Sequence, residues 1–250
     1  MKLHAHFNLN RIAEDHLRDR RVVVIDVLRA GTSIATAIAN GCREIIPADS
    51  IGTATSLATD IGRKSILLCG EREGRRIDGF DLGNSPAEYT GDVVRDKNLV
   101  FVTTNGSVAL VKSRFASLTV VCAFVNVSAV VEYLVHGQGD IHILCSGSQG
   151  LFALEDVVCG GMLIAGLRSR LEHHLQLNDS AVAAELLLKH YARQIETLLR
   201  DCDHGRYLTE IGFAGDVQLC SEVDALRVVP VMRNGRISRP AHNSPQDHGA

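Results

Sequence analysis

The chain has no tryptophan and only four tyrosines and seven phenylalanines, so aromatics make up 4% of its 250 residues. That leaves little surface on which bases could stack, and a formal net charge of −3 adds no basic footprint for nucleic acid. No apolar run approaches the roughly 20 residues of a membrane span. The N-terminal MKLHAHFNLN lacks the apolar core of a secretory signal. A cytoplasmic protein is expected. Seven cysteines lack paired metal-type spacing, and Cys42, Cys69, Cys122, Cys145 and Cys159 sit in or beside apolar segments, as buried reduced thiols do. A Walker A motif is missing, as is a G-x-G-x-x-G after a strand, so nucleotide binding is not indicated. A small molecule is the expected ligand.

What is present is a globular composition, 46% hydrophobic and 22% charged. That suits one α/β domain over 1–237, with the option of two closely packed subdomains, and a disordered polar tail over 238–250. Short apolar runs alternate with helical stretches. Val22 to Asp26, Glu44 to Pro47, Ser65 to Cys69, Leu99 to Thr103, Leu118 to Phe124 and Ile141 to Cys145 read as strands, and Arg227 to Met232 as another before an Asn234-Gly235 turn. Helices are expected over Ser33 to Asn40, Ile51 to Gly62, Pro86 to Tyr89, the stretch to Val111, the stretch to Leu134 and the long region through Leu175. Ser180 to Arg200 reads as one amphipathic helix. The alternation predicts a largely parallel or mixed sheet with helices on both faces, and ligands in such sheets bind at the strand C-terminal ends.

Polar residues collect after those strand ends. Asp26 closes an apolar strand, with Arg29, Thr32 and Ser33 next; hydroxyls and helix amides there suit an anion, and Asp26 a divalent ion beside it. Thr104, Asn105, Gly106 and Ser107 join another strand to a helix, Asn126 follows a third, and Ser146 and Gly147 open a Gly-rich loop after a fourth. Glu155 and Asp156 form a further acidic pair near a helix start, where the macrodipole also favours acids. The densest stretch is GEREGRRIDGFDLGNSPAEY at 70–89, a Gly-hinged loop with acids for a metal and arginines for an anion. Cys69 and Arg75 have the spacing of a cysteine phosphatase, but Glu71 and Glu73 between them disfavour a thiolate and repel phosphate. Asp26 fails the Asp-x-Asp pattern because residue 28 is Leu. Among scattered histidines, His204 before Gly205 is the one to watch.

The ordered set VVVIDVLRAGTSI, LLCGEREGRRIDGFDLGNSPAEY, VTTNGSVAL, AFVNVSAV, CSGSQGLFALEDVVCGG, GRYLTEIGFAGDVQLCSEVD and VVPVMRNGRI resembles the 2-phosphosulfolactate phosphatase (ComB-like) family over about residues 22–237. The family pattern has threonines after Arg-Ala, where this chain has Gly31 and Ser33 around a retained Thr32. The resemblance implies a three-layer α/β/α, Mg²⁺-dependent phosphatase that converts (2R)-2-phospho-3-sulfolactate to 3-sulfolactate and phosphate, as in coenzyme M biosynthesis. For such an anionic ester, Asp26, Glu71 and Asp81 are the expected metal ligands, with Glu155 and Asp156 behind them. Arg72, Arg75 and Arg76 are the expected anion clamp, and Arg29 stabilises developing charge. Asp26, Arg29, Glu71 and Arg72 are thus the catalytic expectation; Asn84 and Ser85 join the phosphate-binding set. A homodimer is compatible with this reading. The rivals are a phosphatase of another small phosphorylated hydroxy acid and a non-catalytic anion-binding module of the same fold.

Overall fold

A computed structural model describes residues 1–9, 12–62, 66–148, 150–171 and 175–240. In chain order its elements are β1 (Lys2–His6), β2 (Arg21–Ile25), α1 (Ala30–Ala39), β3 (Glu44–Pro47), α2 (Ile51–Ile61), β4 (Ile66–Arg72) and β5 (Arg75–Arg76). Then follow α3 (Gly91–Val94), β6 (Asn98–Val102), α4 (Gly106–Lys112), β7 (Leu118–Cys122), α5 (Val127–Val135), β8 (Ile141–Cys145), α6 (Leu154–Arg170) and β9 (Gln176–Leu177). Four helices, α7 (Asp179–Tyr191), α8 (Ile195–Asp201), α9 (Asp203–Glu210) and α10 (Ala214–Cys220), precede β10 (Val231–Arg233) and β11 (Arg236–Ser238).

The strands form one mixed sheet in the order β5-β4-β6-β3-β11-β10-β7-β2-β8-β1-β9, between helical layers in an α/β/α arrangement. Its central strand shows why. All five residues of β2 are buried, and they alternate: Val23 and Ile25 face a core shared with α5 and α6, while Val22 and Val24 face one shared with α1 and α4. A third, smaller core joins Ala54 and Ala58 of α2 to Ile66, Leu68, Val100 and Val102. Such two-sided burial selects the continuous Val/Ile runs seen in the sequence.

The sheet contains two parallel groups, β4-β6-β3 and β7-β2-β8-β1-β9. Between them lies the β10–β11 hairpin, antiparallel to β7 on one side and to β3 on the other. The two groups therefore run in opposite senses. Interstrand twist of about 25° accumulates to about 125° over the five steps from β6 to β2 and swings the reversed group round. The result is that strand C-terminal ends of both groups still meet: Gly74 of the β4–β5 turn accepts from Arg29, which follows β2.

Several expectations need correction. β1 was not anticipated; its Leu3 and Ala5 enter the core while His4 and His6 take the other face, an alternation too short and polar to register as a strand. The stretch 70–76 is no open loop but a tight hairpin, with φ of 51° at Glu73 and 73° at Gly74, the positive pair of a type I′ turn. The expected single helix over Ser180 to Arg200 is two, α7 and α8, broken over 192–194. The polar stretch after it forms α9 and α10. The late strand begins at Val231, and its Asn234-Gly235 turn is present with φ of 50° and 75°. Ser238 belongs to β11 and Arg239 donates to the carbonyls of Ile38 and Ala39, so the chain is tied down past the expected start of the tail. The remainder of the tail, 241–250, lies outside the described residues, as do Ser65 at the expected start of β4 and Gln149 of the Gly-rich loop.

Candidate active site

A cavity of about 740 Å³ opens where these strand ends converge. Asp26, Arg29, Glu71, Arg72, Asn84, Thr104 and Asn105 line it, with Ser148 and His204. Asp26 sits one residue past β2, 6% exposed. Its Oδ1 accepts from the Ala30 amide at 3.0 Å. Burial pushes its pKa up to about 6, and Glu71 and Glu155 push the same way; His204 and the Ala30 amide oppose them. Gly106 lets the helix start come close: a Cβ there would lie 2.6 Å from Asp26 Oδ2.

Glu71 is held by two backbone amides, Gly74 to Oε2 at 2.8 Å and Thr104 to Oε1 at 2.7 Å. One carboxylate thus fixes the hairpin turn against the Thr-rich loop. Asp156 does the same for the other pair of loops, accepting from Val27 at 2.8 Å and Gly147 at 3.0 Å. Burial, with Asp26 and Glu155 nearby, raises Asp156 well above the ordinary carboxylate range against those two amides. Glu155, 2% exposed, turns its Oε1 to within 3.6 Å of His204 Nδ1.

Arg29 is 2% exposed and fully engaged in the protein. It donates to Asp216 Oδ2 at 2.6 Å and to the Gly74 carbonyl, and its guanidinium lies 4.3 Å from the Phe213 ring centroid. Asp216 Oδ1 also accepts from the Ser85 hydroxyl at 2.6 Å. Asp216 and Phe213 were not anticipated. Phe213, Asp216, Val217 and Cys220 fall at i, i+3, i+4 and i+7, which marks Asp216 as an acid on an apolar helix face, and that spacing was the available signal.

Other expected ligand contacts are occupied by the protein. Thr32 Oγ1 donates to the Val27 carbonyl and Ser33 Oγ to the Asn84 carbonyl. The first α1 amides go to Asp26, from Ala30 and Gly31. A hydroxyl has one proton, so neither donates to an anion: Thr32 pins its own β2–α1 turn and Ser33 ties that turn to the Asn84 loop. Ser107 likewise donates to the Thr103 carbonyl while accepting its amide. Asn126 is buried and bridges Ala123, Val121 and Val228 through their backbones. Arg75 and Arg76 are exposed on the edge strand β5 and do not line the cavity. Asp81 is exposed and accepts from the Leu68 amide, so it supports β4 from outside the cavity.

Two buried polar atoms stand unpartnered among the described residues at this junction, Asn84 Oδ1 and Ser146 Oγ. Asn84 also lines the cavity, and its unpartnered oxygen is an acceptor, suited to a hydroxyl or a water and not to an anion. No group of three His, Cys, Asp or Glu among the described residues is placed as a metal cage. Mg²⁺ needs less: one or two carboxylates, with water completing its shell. Asp26 and Glu71, the two expected ligands that line the cavity, meet that requirement. Among the described residues no helix is long and apolar enough to cross a membrane.

The family model described as 2-phosphosulpholactate phosphatase matches residues 7–235. The chain is 36% identical over 235 residues to a probable 2-phosphosulfolactate phosphatase of Caldanaerobacter subterraneus subsp. tengcongensis, covering 94% of this chain and 97% of that one. A protein of the same description from Clostridium acetobutylicum is 34% identical, covering 95% and 100%. Another from Thermotoga petrophila is 37% identical, covering 86% and 90%.

Proposed function

The chain belongs to the 2-phosphosulfolactate phosphatase family and is a phosphoric monoester hydrolase, and we propose that it hydrolyses (2R)-2-phospho-3-sulfolactate to 3-sulfolactate and phosphate with Mg²⁺. The observation that carries the reading is Asp26, a buried carboxylate that lines, with Arg29, Glu71 and Arg72, a cavity formed by converging strand ends. A non-catalytic anion binder gains nothing from burying an acid there, since like charge repels the ligand. That is the phosphatase step of coenzyme M biosynthesis, and the pathway assignment rests on this proposed substrate.

Asp26 and Glu71 would hold the ion, which when bound neutralises phosphoryl oxygens and acidifies a water. The chain's own groups do the rest. Arg72, on the cavity wall, meets the anionic groups of the substrate. Arg29, locked by Asp216, Gly74 and Phe213, presents fixed positive charge at the wall, so no reorganisation is needed as charge develops. His204 at the rim supplies a proton to the departing alkoxide, with Glu155 orienting its ring. Water attacks phosphorus directly. Hydrolysis at a chiral phosphate should then invert configuration; retention would show a covalent intermediate on Asp26 instead.

The decisive assay is phosphate release from 2-phospho-3-sulfolactate and from phospho-hydroxy acids lacking the sulfonate, with and without Mg²⁺. Turnover should need both sulfonate and metal, and Asp26→Asn should abolish it with the fold intact. Equal rates on sulfonate-free esters would move the assignment to another small phosphorylated hydroxy acid. Full activity of Asp26→Asn would remove Asp26 from the site.

A further inference from the structure

A second cavity, about 560 Å³, lies along β1 and β8 and shares no lining residue with the first. Its walls follow from strand alternation. Leu3 and Ala5 of β1 and Ile141 and Ile143 of β8 enter the core, so His4, His6 and His142 take the opposite face. Register sets His4 beside His142. Lys2, Arg20 and Asp140 sit at or just before the N-terminal ends of β1, β2 and β8, whereas Asp26 lies past the C-terminal end of β2. The segment leading into β2 completes the basin with Ile12, Asp15, His16 and Arg18.

The three imidazoles are packed as a stack. His4 and His142 centroids are 4.8 Å apart and His6 and His142 5.3 Å. His6 Nε2 and His142 Nδ1 approach to 3.1 Å, a ring-to-ring hydrogen bond. That bond turns two nitrogens toward each other, and no described trio is placed to hold a metal. The acids are already engaged: Asp15 pairs with Arg18 at 3.1 Å, and Asp140 accepts the Lys2 amide at 2.7 Å. Arg18 also lies over the Phe115 ring. Burial and then the neighbouring histidines hold His6 down to about 4; burial, His4 and Arg20 do the same to His142, against Asp140, with His16 adding to both. The basin is therefore a concave cluster of basic groups in which burial, and then the neighbouring basic groups, suppress protonation.

We propose that this basin is a second site, for a small oxyanion of two negative charges such as sulfate or phosphate, held by Arg20, Lys2 and the His6–His142 pair, which takes up one proton and keeps its ring-to-ring hydrogen bond. Binding couples to proton uptake, because the anion supplies counter-charge to the pair. The site stands independently of the reaction assigned to the other cavity.

Histidine ring resonances of the full chain, titrated in sulfate and in chloride at matched ionic strength, test it. The midpoint for proton uptake by the His6–His142 pair should rise in sulfate by one pH unit or more, a tenfold preference for the protonated basin. Identical midpoints in the two salts would overturn the site. Arg20→Ala, an exposed substitution, should lose at least half the sulfate effect with phosphatase kcat unchanged; an undiminished effect overturns the assignment of Arg20. In Asp26→Asn the sulfate effect should persist. Its loss there would place the anion in the first cavity and refute the proposal.

Discussion

Replacing Asp216 by alanine gives the sharpest test of how the first cavity is held. Arg29 is 2% exposed and Asp216 5%, so no solvent can take the place of a lost partner. Removing one member of a buried ion pair costs about 3–5 kcal/mol, most of it the penalty of the stranded charge. Ser85 loses the acceptor of its hydroxyl as well, which adds about 1 kcal/mol. The Gly74 carbonyl and the Phe213 face still contact the guanidinium and hold the total near the lower end, about 4 kcal/mol. For a chain of this size each kcal/mol lowers Tm by about 2–4 °C, so Asp216→Ala should melt about 8–16 °C below wild type. Asp216→Asn keeps one acceptor and should lose about half as much. Because Arg29 then loses its fixed direction, kcat should fall while KM moves less. In the double variant with Arg29→Ala the stranded charge is gone, so the loss should be well short of additive. Thermal melts and steady-state kinetics on wild type, the two Asp216 variants, Arg29→Ala and the double variant decide it. If Asp216→Ala melts within about 2 °C of wild type with unchanged kcat, the argument for a buried clamp fails.

Three further outcomes are expected. Gly106→Ala should cut turnover at least tenfold, because the new Cβ falls 2.6 Å from both Asp26 Oδ2 and the Ala30 Cβ; wild-type kinetics would show that the helix start yields freely. Arg72→Ala should raise KM for the phosphosulfonate about tenfold or more with little change in Tm, since the side chain lines the cavity and, among the described residues, donates only to the neighbouring Glu71 carbonyl; an unchanged KM with unchanged kcat would remove it from the anion site. Acid should destabilise the fold through the histidine basin. His6 and His142 titrate at about 4 when folded and at the ordinary 6.5 when unfolded, so the unfolded chain binds the extra protons between those values. Stability is therefore intact above pH 6.5 and is lost as pH falls toward 4, by about 1 kcal/mol per ring once solvent screening is allowed for. Urea midpoints at pH 7.5 and 5 should separate less in a His6→Gln/His142→Gln variant; an equal separation would place the acid sensitivity elsewhere.

The sequence marked where the site lies more clearly than which atoms compose it, and the difference has a physical cause. A strand buried on both faces, such as Val22 to Ile25, writes itself as a continuous apolar run, and whatever polar residue follows it must sit at the sheet edge. Asp26, Glu71, Thr104 and Asn105 were legible for that reason, and all four line the cavity. The use to which a polar atom is put depends on partners far along the chain. Arg29 meets Asp216 across 187 positions, and Ser33 meets Asn84 across 51. Nothing local distinguishes a hydroxyl aimed at phosphate from one aimed at a carbonyl, so Thr32, Ser33 and Ser107 read as ligands when they are ties. The same blindness hid the reversal of the sheet, because β10 and β11 are three residues each and their antiparallel pairing is a tertiary fact. Yet the ties and the ligands are not alternatives in function. Four loops from strands of opposite sense converge on Asp26 only because Glu71 and Asp156 each spend both oxygens on backbone amides from separate loops. Glu71 does both: its oxygens gather amides from two loops, each keeps a second lone pair, and the side chain lines the cavity beside Asp26, whose Oδ2 no backbone amide among the described residues takes.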